Sequence, residues 1–153
     1  MEMSIARSSD IPSLCELLYS LFDQEAEFVP DRQAQERGLA AIIDDARIGH
    51  ILVARDAGRI VGMVNLLYTV STALGQRVAL LEDMVVAVDR RGQGIGSHLI
   101  RHAVTFAGQQ GCQRITLLTD GDNEGAHRFY RTHGFSRSSM VVFKRMAGDH
   151  GSE

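Results

Sequence analysis

The residues of this 153-residue chain best suited to chemistry stand between Leu80 and His98. Gly92, Gly94 and Gly96 alternate with Gln93, Ile95 and Ser97, directly after Arg90 and Arg91. Glycines let backbone N–H groups approach an anion closely, and the first turn of a helix adds unpaired N–H donors and the positive end of its dipole. The pattern therefore points to a bound phosphate compound. Upstream, Glu82 and Asp83 interrupt an apolar, β-branched run from Leu80 to Val88. Adjacent acids can hold a cation or move a proton. On a regular strand they face opposite sides, so one faces the cleft, whereas a bulge brings both near it.

The elements that position these residues follow from periodicity. Val78 to Val88 reads as a long strand, Gly92 to Gly96 as a turn, and Ile95, Leu99, Ile100, Ala103, Val104, Phe106 and Ala107 as the apolar stripe of a helix ending at Gly111. Before them come a strand at Met3–Arg7, a helix from Ile11 to about Phe22, and a second helix from Arg32 to about Asp45. His50–Arg55 and Arg59–Val70 form a hairpin across Asp56-Ala57-Gly58, with Gly62 marking a bulge or a close approach. Strands that follow one another without helices pair antiparallel. Beyond the glycine turn, Arg114–Thr119 completes a strand–helix–strand crossover with parallel pairing. Asp122 or Asn123 caps a short helix that stops at Gly134, Phe135–Ser138 and Ser139–Arg145 read as a closing hairpin, and the tail from Ala147 as frayed. The chain is thus expected to be one α/β domain over residues 1–153.

Composition narrows the function. A formal charge of −3 lacks the basic face that nucleic-acid binding needs. No apolar run approaches the roughly 20 residues of a membrane span, and the N-terminus lacks a signal pattern. A cytoplasmic enzyme is expected, without nucleic-acid or membrane partners. Cys15 and Cys112 suit neither a redox pair nor a metal site and read as buried thiols. His98, His102, His127 and His133 lack metal-ligand spacing, so no metal is expected. Between the first two helices, Asp23, Glu25, Glu27 and Asp31 interleave with Phe22, Phe28 and Val29. That stretch is either a solvated loop or, with Glu27 and Phe28, a wall that attracts a cationic amine. A dinucleotide fingerprint would need glycine where Ser97 stands, and the P-loop lysine is missing.

Element order and residues together resemble the GNAT superfamily of acetyl-CoA-dependent N-acetyltransferases. The signature [QR]-x-x-G-x-[GA] is met by Arg91-Gly92-Gln93-Gly94-Ile95-Gly96, and the second signature by Asn123, Ala126, Phe129-Tyr130 and Gly134-Phe135. Leu81-Glu82-Asp83, Val86, Arg91-Gly92 and Gly94-Ile95-Gly96-Ser97 also look like the diamine (spermidine/spermine) acetyltransferase branch.

The resemblance implies a mixed sheet with antiparallel N-terminal strands, a fourth and fifth strand splayed around a helix crossover, and helices on both faces. It implies that Met84, Val85 and Val86 offer backbone groups to the pantetheine arm of acetyl-CoA, one N–H polarising the thioester carbonyl. Gly92 to Ser97 would hold the pyrophosphate, with Arg91 in contact or merely solvated nearby. Glu82 falls on the base position, directly or through water, and Asp83 is better suited to binding the substrate ammonium. Tyr130 falls on the general-acid position, although a Tyr between core and solvent has the same pattern. Asn123 bonds the pantetheine arm or caps its helix. The acceptor implied is a small cationic amine. A protein N-terminus or lysine, a non-catalytic acetyl-CoA sensor and a nucleotide-binding oxidoreductase remain as alternatives. A homodimer is implied by the resemblance alone.

Overall fold

Five strands make one mixed sheet in the order β1-β2-β3-β4-β5, seen in a computed structural model that describes residues 1–22 and 31–148. The strands are β1 (Glu2–Ile5), β2 (Gly49–Asp56), β3 (Arg59–Ser71), β4 (Gln76–Val86) and β5 (Ile115–Leu117). The first four pair antiparallel in sequence and β5 joins β4 in parallel, as strands without and with an intervening helix must. The helices are α1 (Ile11–Phe22), α2 (Arg32–Ile43), α3 (Ile95–Gln109) and α4 (Glu124–Thr132). The expected elements are therefore present up to α4, with ends shifted by a few residues and β5 shorter than Arg114–Thr119.

The closing hairpin expected from Phe135 to Arg145 is absent: no strand is formed there, and Met140 and Phe143 are 84% and 94% exposed. β-propensity at Met140–Phe143 only permits a strand. A ladder partner decides, and an isolated hairpin is marginal in water. The chain divides into two units, Met1–Asp120 and a second beginning at Gly121. The sheet, α1, α2 and α3 belong to the first and α4 to the second.

Two layers of core flank the sheet. On one face Leu14, Cys15 and Leu18 of α1 and Leu39 of α2 pack with Ile51, Val53, Met63 and Val85. On the other, α3 buries Ile95, Leu99, Ile100, Ala103 and Ala107. Gly62 serves this second layer: a Cβ there would lie 2.6 Å from Leu99 Cδ1, and β3 carries one extra residue against β2 at Val61–Gly62. Gly62 is a close approach, and the extra residue of the bulge is Val61 beside it. Burial raises the pKa of the Cys15 thiol, and likewise that of Cys112, so neither is an activated nucleophile.

A tighter contact lies at Gly49, where a Cβ would stand 2.2 Å from the Leu66 carbonyl oxygen. Backbone cannot step aside as a side-chain tip can. Gly49→Ala is expected to destabilise the fold by about 3 kcal/mol, the upper range for overpacking, read from the urea midpoint. An unchanged midpoint would show that the β2–β3 ladder yields there.

Candidate active site

The ladder between β4 and β5 ends at Leu81 opposite Leu117, yet β4 continues to Val86. On its other side β4 stays paired with β3, Met63 facing Val85 and Gly62 facing Val86. The two parallel strands thus part company just before Glu82. An extended ligand can add itself to such an edge as a further strand.

At the same point β4 bulges. Asn65 faces Glu82 and Met63 faces Val85, so β4 uses one more residue than β3 over this step. Asp83 takes the extra position with φ of 52°, in the left-handed region that Asp tolerates better than most residues. Its Oδ2 accepts a 2.7 Å hydrogen bond from Asn65 Nδ2. Glu82, Asp83, Met84 and Val86 are half-buried, and Val85 is buried in the core.

Downstream of β4, a short 3-10 turn at Val88–Arg90 leads into the glycine segment. Gly92 and Gly94 have φ of 78° and 83°, and an added Cβ at either would meet nothing within 4 Å. These glycines are required by conformation, and the loop leaves open space beside its backbone. Gly94 is the N-cap of α3, and it makes no side-chain cap bond to the first turn. That donor set and open cradle fit a pyrophosphate.

The arginines divide their work. Arg90 bonds Asp56 through its guanidinium and donates from Nε to Gln93 Oε1 at 3.1 Å. Arg59 forms a two-pronged pair with Asp89 at 2.8 Å on each prong. Both pairs latch the loop to the β2–β3 hairpin, so Arg90 has a positioning role. Arg91 is exposed, and its Nε donates to the Val86 carbonyl at 3.2 Å.

In the second unit, Asn123 caps α4: its side chain accepts from Ala126 N at 3.1 Å. Tyr130 stacks edge-on with Phe129 and Phe135 at centroid distances of 5.2 and 5.8 Å. Burial raises its phenol pKa, which keeps the hydroxyl protonated. Glu82, Asp83, Met84 to Val86 and Arg91 to Ser97 therefore share the β4–loop–α3 segment of the first unit, and Asn123 and Tyr130 lie in the other. Glu27 and Phe28, with Asp23, Glu25 and Val29, fall outside the described residues. No cluster of three or more potential metal ligands occurs among the described residues.

Sequence reasoning passed over Asn65 and the latch acids Asp56 and Asp89. Asn65 had a signal, being the lone carboxamide in the apolar run Ile60 to Leu67. The latch had none, because ion pairs 30 residues or more apart in sequence carry no periodicity.

With this geometry established, similarity to known proteins becomes interpretable. The profile of the Acetyltransferase (GNAT) family matches residues 12–135. N-acetyltransferase YhfO of Bacillus subtilis is 30% identical over 146 residues, spanning 93% of this chain and 94% of the relative. The aminoalkylphosphonate N-acetyltransferase of Salmonella typhimurium is 31% identical over 145 residues, spanning 95% and 91%. A solved structure from Agrobacterium tumefaciens superposes with a TM-score of 0.82 at 28% identity, covering 95% of this chain and all of its own.

Proposed function

The chain belongs to the Acetyltransferase (GNAT) family, and we propose that it transfers the acetyl group of acetyl-CoA to the primary amine of a small cationic acceptor, by direct attack in a ternary complex. It is an acetyl-CoA-dependent N-acetyltransferase; the acceptor and the roles below are the reading. The observation that carries it is the layout of β4, whose departure from β5 at Leu81 precedes the acids and whose other end runs into the glycine cradle. One strand then holds the acceptor end and the phosphate end of the co-substrate, with Met84 to Val86 between them.

Gly92 to Ser97 hold the pyrophosphate on loop and helix amides, with Arg91 beside them. Backbone groups of Met84, Val85 and Val86 bond the pantetheine arm and polarise the thioester oxygen. Glu82, directly or through water, takes the proton that an alkylammonium must lose before its nitrogen can attack. Tyr130 gives a proton to the departing thiolate. Asn123 has committed its Oδ1 to the α4 cap, which leaves its Nδ2 for the pantetheine arm. Asp83 holds the acceptor's ammonium, and Glu27 and Phe28, which lie outside the described residues, are the further candidates for acceptor binding.

The acceptor class divides on charge. The Salmonella relative is named for aminoalkylphosphonates, in which an anion accompanies the amine. The acids at Asp23, Glu25, Glu27, Glu82 and Asp83 favour a purely cationic acceptor such as a polyamine, in keeping with the diamine-like motif. A thiol-release assay with acetyl-CoA decides between them, run against spermidine, 2-aminoethylphosphonate, an aminoglycoside and a peptide with free amines. Turnover highest with spermidine is expected. Turnover confined to the peptide would replace this reading with protein acetylation, and CoA binding without any thiol release would make the chain a sensor.

A further inference from the structure

The turn between β2 and β3 is tighter than its residues favour. Asp56 and Arg59 face each other across it, and the two residues between them, Ala57 and Gly58, have φ of 50° and 81°. Such a two-residue turn ordinarily carries Asn-Gly or Gly-Gly, since both central residues take positive φ. Alanine pays a steric penalty there, and among the described non-glycine residues only Ala57 and Asp83 adopt that conformation. Strain of this kind persists where the surroundings enforce it, and it concentrates at working parts of a protein.

The tight turn sets an acid and a base side by side at the hairpin tip. They meet Asp89 and Arg90, adjacent residues of the 3-10 turn that leads into the glycine segment. The four charges pair as Arg90 with Asp56 and Arg59 with Asp89. The hydrogen bond from Arg90 holds the Asp56 carboxyl below the usual carboxylate range, and that from Arg59 does the same for Asp89, so both acids stay ionised at neutral pH. Two carboxylates thus stand beside a loop suited to an anion, and by charge alone each opposes a phosphate. Nor do they serve stability to any extent, because the paired side chains range from 25% exposed at Arg90 to 62% at Asp89, and solvent screens such pairs.

A local role accounts for them. Besides its bond to Asp56, Arg90 donates from Nε to Gln93 Oε1 at 3.1 Å, and Gln93 stands between Gly92 and Gly94, with φ of 78° and 83°. Glycine leaves the backbone more states than any other residue, so amides flanked by it stay dispersed unless something outside the loop holds them. A loop already fixed in its binding conformation loses less entropy when its ligand arrives.

We propose that Asp56 is a positioning residue for acetyl-CoA: through Arg90 and Gln93 it fixes the glycine loop in the conformation that takes the pyrophosphate, and Asp89 supports it through Arg59. The inference rests on the reading of Gly92 to Ser97 as the pyrophosphate site and deepens it, by making the β2–β3 hairpin tip part of what sets co-substrate affinity.

The sign of one substitution tests it. Asp56→Asn removes a negative charge near the loop, so electrostatics alone predicts tighter binding of acetyl-CoA. Positioning predicts the reverse. The KM for acetyl-CoA and the calorimetric Kd for CoA are expected to rise about fivefold, the upper range for a partly exposed ion pair, with kcat and the amine KM within about twofold of wild type. Asp89→Asn, in the more exposed pair, should weaken binding about twofold and carries the same test of sign should Asp56→Asn fail to fold. In an Arg90→Gln background, Asp56→Asn should no longer weaken binding, because the contact it acts through is gone.

An unchanged or lower Kd for CoA in folded Asp56→Asn overturns the role of Asp56, and so does a weakening that persists undiminished after Arg90→Gln. Either result leaves acetyl transfer standing. Failure of the wild type to bind CoA removes the reading of the glycine loop beneath it, and the inference with it.

Discussion

Glu82→Gln and Tyr130→Phe are each expected to lower turnover on the order of 10²-fold while acetyl-CoA still binds, the size of effect general acid–base catalysis contributes. An alkylammonium with a pKa near 10 carries almost no lone pair at neutral pH. Glu82 is the first β4 residue beyond the last β5 rung and the last before the bulge, so its backbone stands where the β4–β5 ladder has ended. Gln keeps the shape and hydrogen-bonding reach and loses only the capacity to take a proton. Tyr130→Phe is as selective, since the edge-on packing against Phe129 and Phe135 depends on the ring. Because burial raises the Tyr130 pKa, the proton-donating form persists to higher pH than for a free phenol. The alkaline fall in rate should therefore begin beyond the ordinary phenol range, and it should be missing from Tyr130→Phe. Initial rates of thiol release, with CoA binding followed by thermal shift, separate chemistry from affinity. Full turnover in both variants would strip these two side chains of catalytic roles.

The parts of this site that periodicity could reach were legible before the fold was known. Val78 to Val88, the glycine turn and the stripe from Ile95 to Ala107 change period from 2 to 3.6 across a loop of small residues, and β4, the cradle and α3 follow. The bulge at Asp83 was legible only as a possibility, because one extra residue in a strand leaves the local pattern unchanged and shows only in the register with β3. The Arg90–Asp56 and Arg59–Asp89 latches depend on a hairpin that brings distant charges together. At Phe135 to Arg145 the reverse held. Local propensity promised a hairpin, and no ladder formed to stabilise it.

The glycine cradle permits a sharper separation of fold from function. Gly94→Ala is expected to weaken acetyl-CoA binding by about 10- to 100-fold, while costing the fold only about 1–2 kcal/mol, the penalty of a side chain in the left-handed region. Nothing lies within 4 Å of the new methyl, so no clash is added, and the fold can relieve the strain by rotating the loop out of the conformation with φ of 83°. That rotation re-aims the amides at the start of α3, where anion binding depends on direction. Gly108 gives the control. It lies near the end of the same helix, exposed and with the same open surroundings, but without a positive φ. Gly108→Ala should leave affinity unchanged and stabilise the helix by about 0.5–1 kcal/mol. Affinity measured by calorimetry beside thermal unfolding distinguishes the two positions. Equal affinities in the Gly94 and Gly108 variants would mean that the pyrophosphate is held by groups other than the start of α3, and that the left-handed glycine serves only the turn.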